Sequence, residues 1–281
     1  MQHNLVIRGH DLSAIQTPQA LAEKTQEKGI HNLQFALNAS FPDLRSDQVA
    51  MNPGMGTYFK NLFAKHEIQI ALLSCYSNLI HPDVKKREEI LRKFESYLRY
   101  ASYFGASMVA SETGSVIPDL GYTEDNFKDE TFVTLIEVIK RLVKKGEEYK
   151  TMVGIEGGLN HPLYSVEKTK ELLAAVDSPY LGIILDPTNF VTEKTQDSMV
   201  DLVKDAFSSY GDKICALHLK DYRVENGKII PVSLGKGIIK YKEILEIVDS
   251  YKPYCYIVLE ETKNDDIVTA RELIEALEVQ A

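Results

Sequence analysis

Short apolar runs and longer amphipathic ones alternate along this chain. The short runs are NLVIRG (4–9), LQFALN (33–38), IQIALLS (68–74), SMVAS (107–111), MVGIEG (152–157), LGIILD (181–186), ICALHL (214–219) and YIVLEE (256–261). They are rich in Val, Ile and Leu and show little polar alternation, as strands covered on both faces require. Between them, apolar residues recur at helical spacing. In HPDVKKREEILRKFESYLRYASYFG, Ile90, Leu91, Phe94, Leu98 and Ala101 share one face, and Gly105 supplies the stop. DETFVTLIEVIKRLVKKGEEY repeats the pattern with Phe132, Leu135, Ile136, Ile139 and Val143. SVEKTKELLAAV opens on Ser165, a helix cap. YKEILEIVDSY and DIVTARELIEALE are the last two helical stretches.

Strand ends recur about every 30 to 45 residues, the length of a strand plus a crossover helix and its loops. Eight such units predict an α/β fold, a single (β/α)8 TIM barrel domain over residues 1–281. No linker rich in Ser, Gly or Pro divides it. A doubly wound open sheet is the competing topology, because strand order is not written in the pattern. The second connection, NASFPDLRSDQVAMNPGMGTYFKN (38–61), is long, and its Pro53-Gly54 and Gly56 suggest a mobile lid over the rim, with a merely decorative loop as the equal alternative.

Composition adds boundaries to this picture. With 44% hydrophobic and 26% charged residues the chain is ordinarily globular. The formal net charge is -9 and no block of Lys or Arg offsets it, which argues against nucleic acid or an anionic membrane as partner. Cys75, Cys215 and Cys255 are far apart, each in an apolar run, so they read as reduced thiols of a cytoplasmic protein. The start, MQHNLVIRGHDL, is too short and polar for a signal peptide, and no apolar run reaches the roughly 18 residues of a membrane span. A homo-oligomer is compatible with the sequence, though no patch points to one.

A parallel barrel presents its chemistry at the C-terminal ends of its strands. Those ends carry His81, Glu112, Glu156, Asp186, then His218 with Lys220 and Asp221, then Glu260 and Glu261. Carboxylates brought close together do not stay ionised without a cation. Glu156, Asp186, His218 and Glu260 come from four consecutive strands and form an O₃N set, which suits one divalent ion such as Mn²⁺, Mg²⁺, Co²⁺ or Zn²⁺. Each residue also has a plainer reading. A lone Asp after a strand commonly caps a turn. His218, between Leu217 and Leu219, faces away from both by alternation. Glu260 competes with Glu261, and strand register decides between them. His81 and His161 each precede a proline, and Lys220 with Asp221 reads equally as a surface ion pair.

GIEGG, ILDPTN, LHLKD and VLEET, in this order, resemble the strand-end motifs of the xylose-isomerase-like sugar phosphate isomerase/epimerase superfamily. Its relatives include ketose 3-epimerases and endonuclease IV. The resemblance implies a TIM barrel holding one divalent ion through Glu156, Asp186, His218 and Glu260. It also implies that Glu156 and Glu260 move a proton next to a carbonyl. Many relatives carry His three residues after the aspartate, where this chain has Asn189; ketose 3-epimerases usually place a second Glu six residues after the first, where it has Pro162. His81, Glu112, His161 and Lys220 are the candidate substrate-binding residues. SLGKGIIK, with Gly235, Lys236 and Gly237, is a candidate phosphate cradle. The expected activity is isomerisation or epimerisation of a small sugar, polyol or sugar phosphate. An endonuclease IV-like metal-dependent hydrolase and a non-catalytic barrel binding metal and sugar are the alternatives.

Overall fold

The computed structural model describes residues 3–278. Eight parallel strands close into a barrel: β1 (Asn4–Arg8), β2 (Asn32–Ala36), β3 (Gln69–Ser74), β4 (Met108–Glu112), β5 (Met152–Glu156), β6 (Leu181–Leu185), β7 (Ile214–His218) and β10 (Tyr256–Val258). Around the barrel they neighbour one another in chain order, and β10 closes it against β1, pairing Leu5 with Ile257 and Val6 with Val258. Closure excludes the open doubly wound sheet. A two-stranded antiparallel hairpin, β8 (Asp221–Glu225) and β9 (Lys228–Val232), rises after β7. Its turn is Asn226-Gly227, both at positive φ, the residue pair that a tight hairpin favours.

The helices are α1 (Pro18–Glu27), α2 (Leu37–Ser40), α3 (Pro53–Ala64), α4 (Val84–Phe104), α5 (Asp129–Tyr149), α6 (Val166–Val176), α7 (Met199–Tyr210), α8 (Tyr241–Tyr251) and α9 (Asp266–Glu278). Their ends follow from local chemistry. Asp83 caps α4 by accepting from the Lys85 and Lys86 N–H groups, and Gly105 ends it at φ 77°. Ser165 accepts from Lys168 N–H at the start of α6.

The C-terminal part of the segment expected to form a lid, residues 53–61, belongs to the structural helix α3. Asn52 caps α3 by accepting from Met55 N–H, and Pro53 sits in the first turn, where its missing donor costs nothing. Phe59 and Phe63 of α3 are buried against Phe35, and a Cβ at Gly56 would stand 2.7 Å from Tyr103 Cβ. The Pro and Gly that suggest mobility serve a helix start and a close helix crossing with α4.

Two apolar layers fix the register that matters for the site. The larger lies between strands and helices and takes Val153, Ile155, Ile183, Leu185, Leu217, Ile257 and Leu259. The smaller fills the barrel interior with Val6, Leu72, Met108, Ala110, Ile184, Ala216 and Val258. Successive strand residues point to opposite faces. Stepping by two from the interior positions leads from Val6 to Arg8, from Ala110 to Glu112, from Ile184 to Asp186, from Ala216 to His218 and from Val258 to Glu260. The polar rim is the continuation of the interior face.

Candidate metal centre and active site

Asp186 ends the interior face of β6 and opens a single 3-10 turn, Pro187–Phe190. Its two oxygens do different work. Oδ1 accepts from Thr188 N–H at 2.9 Å, which is the capping role expected of an Asp after a strand. Oδ2 is buried, accepts no aligned hydrogen bond and stands 2.5 Å from Lys220 Nζ. Pro187 ends the strand at that point because it has no N–H for the ladder.

Glu156, Asp186, His218 and Glu260 each offer one ligand atom, and these four atoms lie within 4.8 Å of one another. All four residues are buried. Asp186 Oδ2, His218 Nδ1 and Glu260 Oε2 are buried without an aligned hydrogen-bond partner, an arrangement that packing does not account for. Three carboxylates and one imidazole nitrogen converging in this way fit a single divalent cation. His218 Nε2 donates to Gln34 Oε1 at 3.0 Å, which turns Nδ1 to the cluster. Nδ1 lies 2.5 Å from Glu260 Oε2 and 3.4 Å from Glu156 Oε2.

The outer oxygens are held from the sides. Asn189 Nδ2 donates to Glu156 Oε1 at 2.7 Å, and the Tyr76 hydroxyl donates to Glu156 Oε2 at 2.5 Å. Arg8 Nη1 donates to Glu260 Oε1 at 2.9 Å. Lys220 Nζ reaches Asn189 Oδ1 at 2.6 Å and Glu260 Oε1 at 3.4 Å. Glu261 points the other way and pairs with Arg8 and Lys263. Register thus selects Glu260 for the cluster.

Charge follows from these contacts. Burial pushes the Asp186 carboxyl up to about 6, and the Lys220 ammonium beside it opposes that push. Burial works against the charged forms of Lys220 and His218 too, but the surrounding carboxylates outweigh it and raise both. Glu260 is held well below the usual carboxylate range: burial is overcome by His218, Lys220 and Arg8. Burial, then the negative charges of Glu156 and Glu260, push Glu112 up to about 7. Burial lowers His161, whose Nδ1–H donates to Gly114 O at 2.9 Å and so leaves the lone pair on Nε2. Tyr76 as a residue is 36% exposed, but its hydroxyl is turned inward onto Glu156; burial and that carboxylate raise it well above its ordinary value.

Above the cluster is a cavity of about 360 Å³, lined by Arg8, Tyr76, Glu112, Glu156, Gly158, Leu159, Asn160, His161, Asn189, Lys220 and Glu260. Glu112, His161 and Lys220 are therefore on its wall. His81 is not: its Nδ1 accepts from Asp83 N–H at 3.1 Å at the start of α4, the structural role that a histidine before a proline also allows. Asp221 is not paired with Lys220. It is 1% exposed, and its carboxylate accepts from the N–H groups of Tyr222, Gly235, Gly237 and Ile239. The expected phosphate cradle is thus already filled by the chain's own carboxylate. A Cβ at Gly237 would collide with Asp221 Oδ1.

Arg8, Gln34 and the structural use of Asn189 are not foreseen by the strand-end motifs. For Arg8 the signal that could have found it is parity, since it lies two residues beyond the inward-facing Val6.

Comparison with known proteins adds the lineage. A D-tagatose 3-epimerase-like protein matches with a TM-score of 0.77 and 18% identity, over 98% of this chain and 97% of that one. The probable 3-DHS dehydratase AsbF from Bacillus anthracis matches at 0.74 and 17%, over 98% and 99%. A xylose isomerase-like TIM barrel protein from Mycobacterium smegmatis, in complex with magnesium, matches at 0.73 and 15%, over 100% and 99%. At such identities the likeness is one of fold. No curated protein sequence matches the chain. The family model described as xylose isomerase-like TIM barrel matches residues 22–279, and the chain belongs to that family.

Proposed function

We propose that the protein is a divalent-metal-dependent isomerase or epimerase of a small sugar or polyol, acting by proton transfer at the carbon next to a carbonyl. One observation carries the reading: four buried ligand atoms from four neighbouring strands converge within 4.8 Å, and two of their glutamates open onto a polar cavity. Glu156, Asp186, His218 and Glu260 would hold the ion. When bound, a divalent ion supplies Lewis-acid polarisation of a carbonyl oxygen. Glu260 is kept in the carboxylate form, the form able to accept a proton, by its cationic neighbours. Glu156 lies across the cluster with Tyr76 on one oxygen and Asn189 on the other, which fixes its orientation. Lys220 neutralises Asp186 and Glu260. Glu112 and His161 are left to orient hydroxyls, and His81 drops out of the substrate set. The likeness to a D-tagatose 3-epimerase-like protein and to a barrel in complex with magnesium supports the class of chemistry. Three cysteines without disulfides suit the cytoplasm. A nuclease would need a basic groove, and this cavity is lined by three glutamates.

The test is proton exchange by NMR with Mg²⁺ in D₂O, over a panel of ketoses and inososes. Metal-dependent loss of a C–H signal next to the carbonyl is the expected result, and Glu260→Gln should slow it by at least about a thousandfold. Unchanged exchange in Glu260→Gln would remove that residue from the proton transfer. Binding without exchange in metal-loaded protein would point to a non-catalytic barrel.

A further inference from the structure

Arg8 and Lys220 both line the cavity, and they spend their charge differently. Arg8 gives Nε and Nη2 to Asp11, both at 2.8 Å, and Nη2 also to Glu261 at 2.7 Å. Only its Nη1 reaches the cluster, at Glu260. Lys263 pairs with Glu261 at 2.8 Å. Arg8 and Lys263 thus balance Asp11 and Glu261, two carboxylates outside the ligand set. Lys220 turns wholly to the ligand set. Its ammonium stands 2.5 Å from Asp186 Oδ2, 2.6 Å from Asn189 Oδ1 and 3.4 Å from Glu260 Oε1, which accounts for its three N–H bonds. Asn189 passes the contact on, since its Nδ2 donates to Glu156 Oε1 at 2.7 Å. The backbone is tied as well: Thr188, in the turn that Asp186 opens, donates Oγ1 to Lys220 O at 2.7 Å.

The formal charge of the site follows from these contacts. Glu156, Asp186 and Glu260 bring three negative charges, His218 as a neutral imidazole ligand brings none, and Lys220 cancels one. The two that remain are what a divalent ion neutralises. The side chains concerned are nearly all out of water: Asp186 is fully buried and Lys220 is 9% exposed. There a mismatch of one charge is costly, because solvent and salt screen it poorly. Without the ammonium the same ligands would carry three charges and suit a trivalent ion. Glu112 is also on the cavity wall, and its contribution is common to any change made at Lys220.

We infer that Lys220 is a specificity-determining residue for the metal: its ammonium sets the charge of the site to the value for one divalent ion and disfavours trivalent ones. The inference rests on the metal-dependent reading proposed above and deepens it. It also takes Lys220 out of the substrate-binding set, since its three N–H bonds already face Asp186, Asn189 and Glu260.

The experiment is competition between Mg²⁺ and Tb³⁺, read by tyrosine-sensitised Tb³⁺ emission; Tyr76, whose hydroxyl donates to Glu156, places a sensitiser at the cluster. The quantity compared among variants is the ratio of Tb³⁺ to Mg²⁺ affinity, in which preferences for ion size cancel. Lys220→Met should raise this ratio at least about tenfold. Asp186→Asn leaves one negative charge and should lower it at least about tenfold. Lys220→Met combined with Asp186→Asn brings the sum back to two and should restore the parental ratio to within about threefold. The double variant also lacks the carboxylate that the ammonium touches, so it carries the test where Lys220→Met alone fails to fold. A ratio unmoved by Lys220→Met overturns the inference, and so does weakening of both ions by one factor, which would make Lys220 a scaffold. A double variant that keeps the ratio of Asp186→Asn overturns it too. In all three cases ion binding itself stands. A parent protein that binds neither ion removes the metal reading and the inference with it.

Discussion

Asp186 and Asp221 follow consecutive barrel strands, β6 and β7, and both are almost wholly buried. Their surroundings differ in kind. Asp221 spends its oxygens on four backbone N–H groups of its own loop. Asp186 spends one oxygen on a cap and turns the other to an ammonium and the three other residues of the cluster. Burial of a carboxylate is therefore no mark of a reactive site. A carboxylate satisfied by the backbone is structural. One left to side-chain charges is available to a ligand.

The largest effect expected on this comparison is structural. Asp221→Ala removes the acceptor of four N–H groups and should cost about 3–5 kcal/mol, seen as a fall of roughly 10 °C in Tm. A loss below about 1 kcal/mol would mean that water replaces the carboxylate and that the two aspartates are less different than their partners indicate. Next, Asp186→Asn should weaken Mg²⁺ binding by about a hundredfold or more in calorimetric titration, while the metal-free protein loses less stability than Asp221→Ala does. The reverse ranking would make Asp186 the structural member of the pair.

Glu112 sharpens the same contrast through pH. Its folded pKa, about 7, lies above its ordinary value of 4.5. The protonated form is thus favoured by the fold. That contribution is fully present below pH 4.5 and is lost as pH rises through 7. In metal-free protein, Glu112→Gln should therefore gain about 1–3 kcal/mol relative to the parent on going from about pH 4.5 to about pH 8. Parallel stability–pH curves for the two proteins would show that Glu112 is solvated after all. The smallest effect belongs to His81. His81→Ala removes only an acceptor at the start of α4, so activity should change less than about twofold and stability by about 1 kcal/mol. A tenfold loss of activity would return it to the site.

Much of this architecture is legible in the sequence. The eight apolar runs mark the barrel strands to within a few residues, and the polar residues at their ends name the groups that the rim gathers. The choice of Glu260 over Glu261 stays open in the sequence only for want of a reference position. Once Val258 is known to face inward, parity decides it. What the sequence hides is the partner of each polar group. Gly235, Lys236 and Gly237 have the composition of an anion cradle, but a linear motif does not say that Asp221, some fifteen residues earlier, already fills it. Pro53, Gly54 and Gly56 look the same in a loose loop and at a capped, closely packed helix start. Lys220 beside Asp221 suggests a surface pair, yet adjacent residues face opposite ways and find different buried partners.

The alternation that carries interior Val, Ala and Ile positions into Arg8, Glu112, Asp186, His218 and Glu260 also limits how such a chain can change over generations. Insertion of one residue within β6 would turn Asp186 toward the helices and replace it by a neighbour, so strand lengths upstream of the rim are locked together. The segments after the strands carry no such lock. Length added there, for instance between Gly157 and Ser165, alters what the cavity admits without moving a residue of the cluster. New specificities on this scaffold are therefore open to lineages through loop growth, at a fixed strand count and fixed strand lengths.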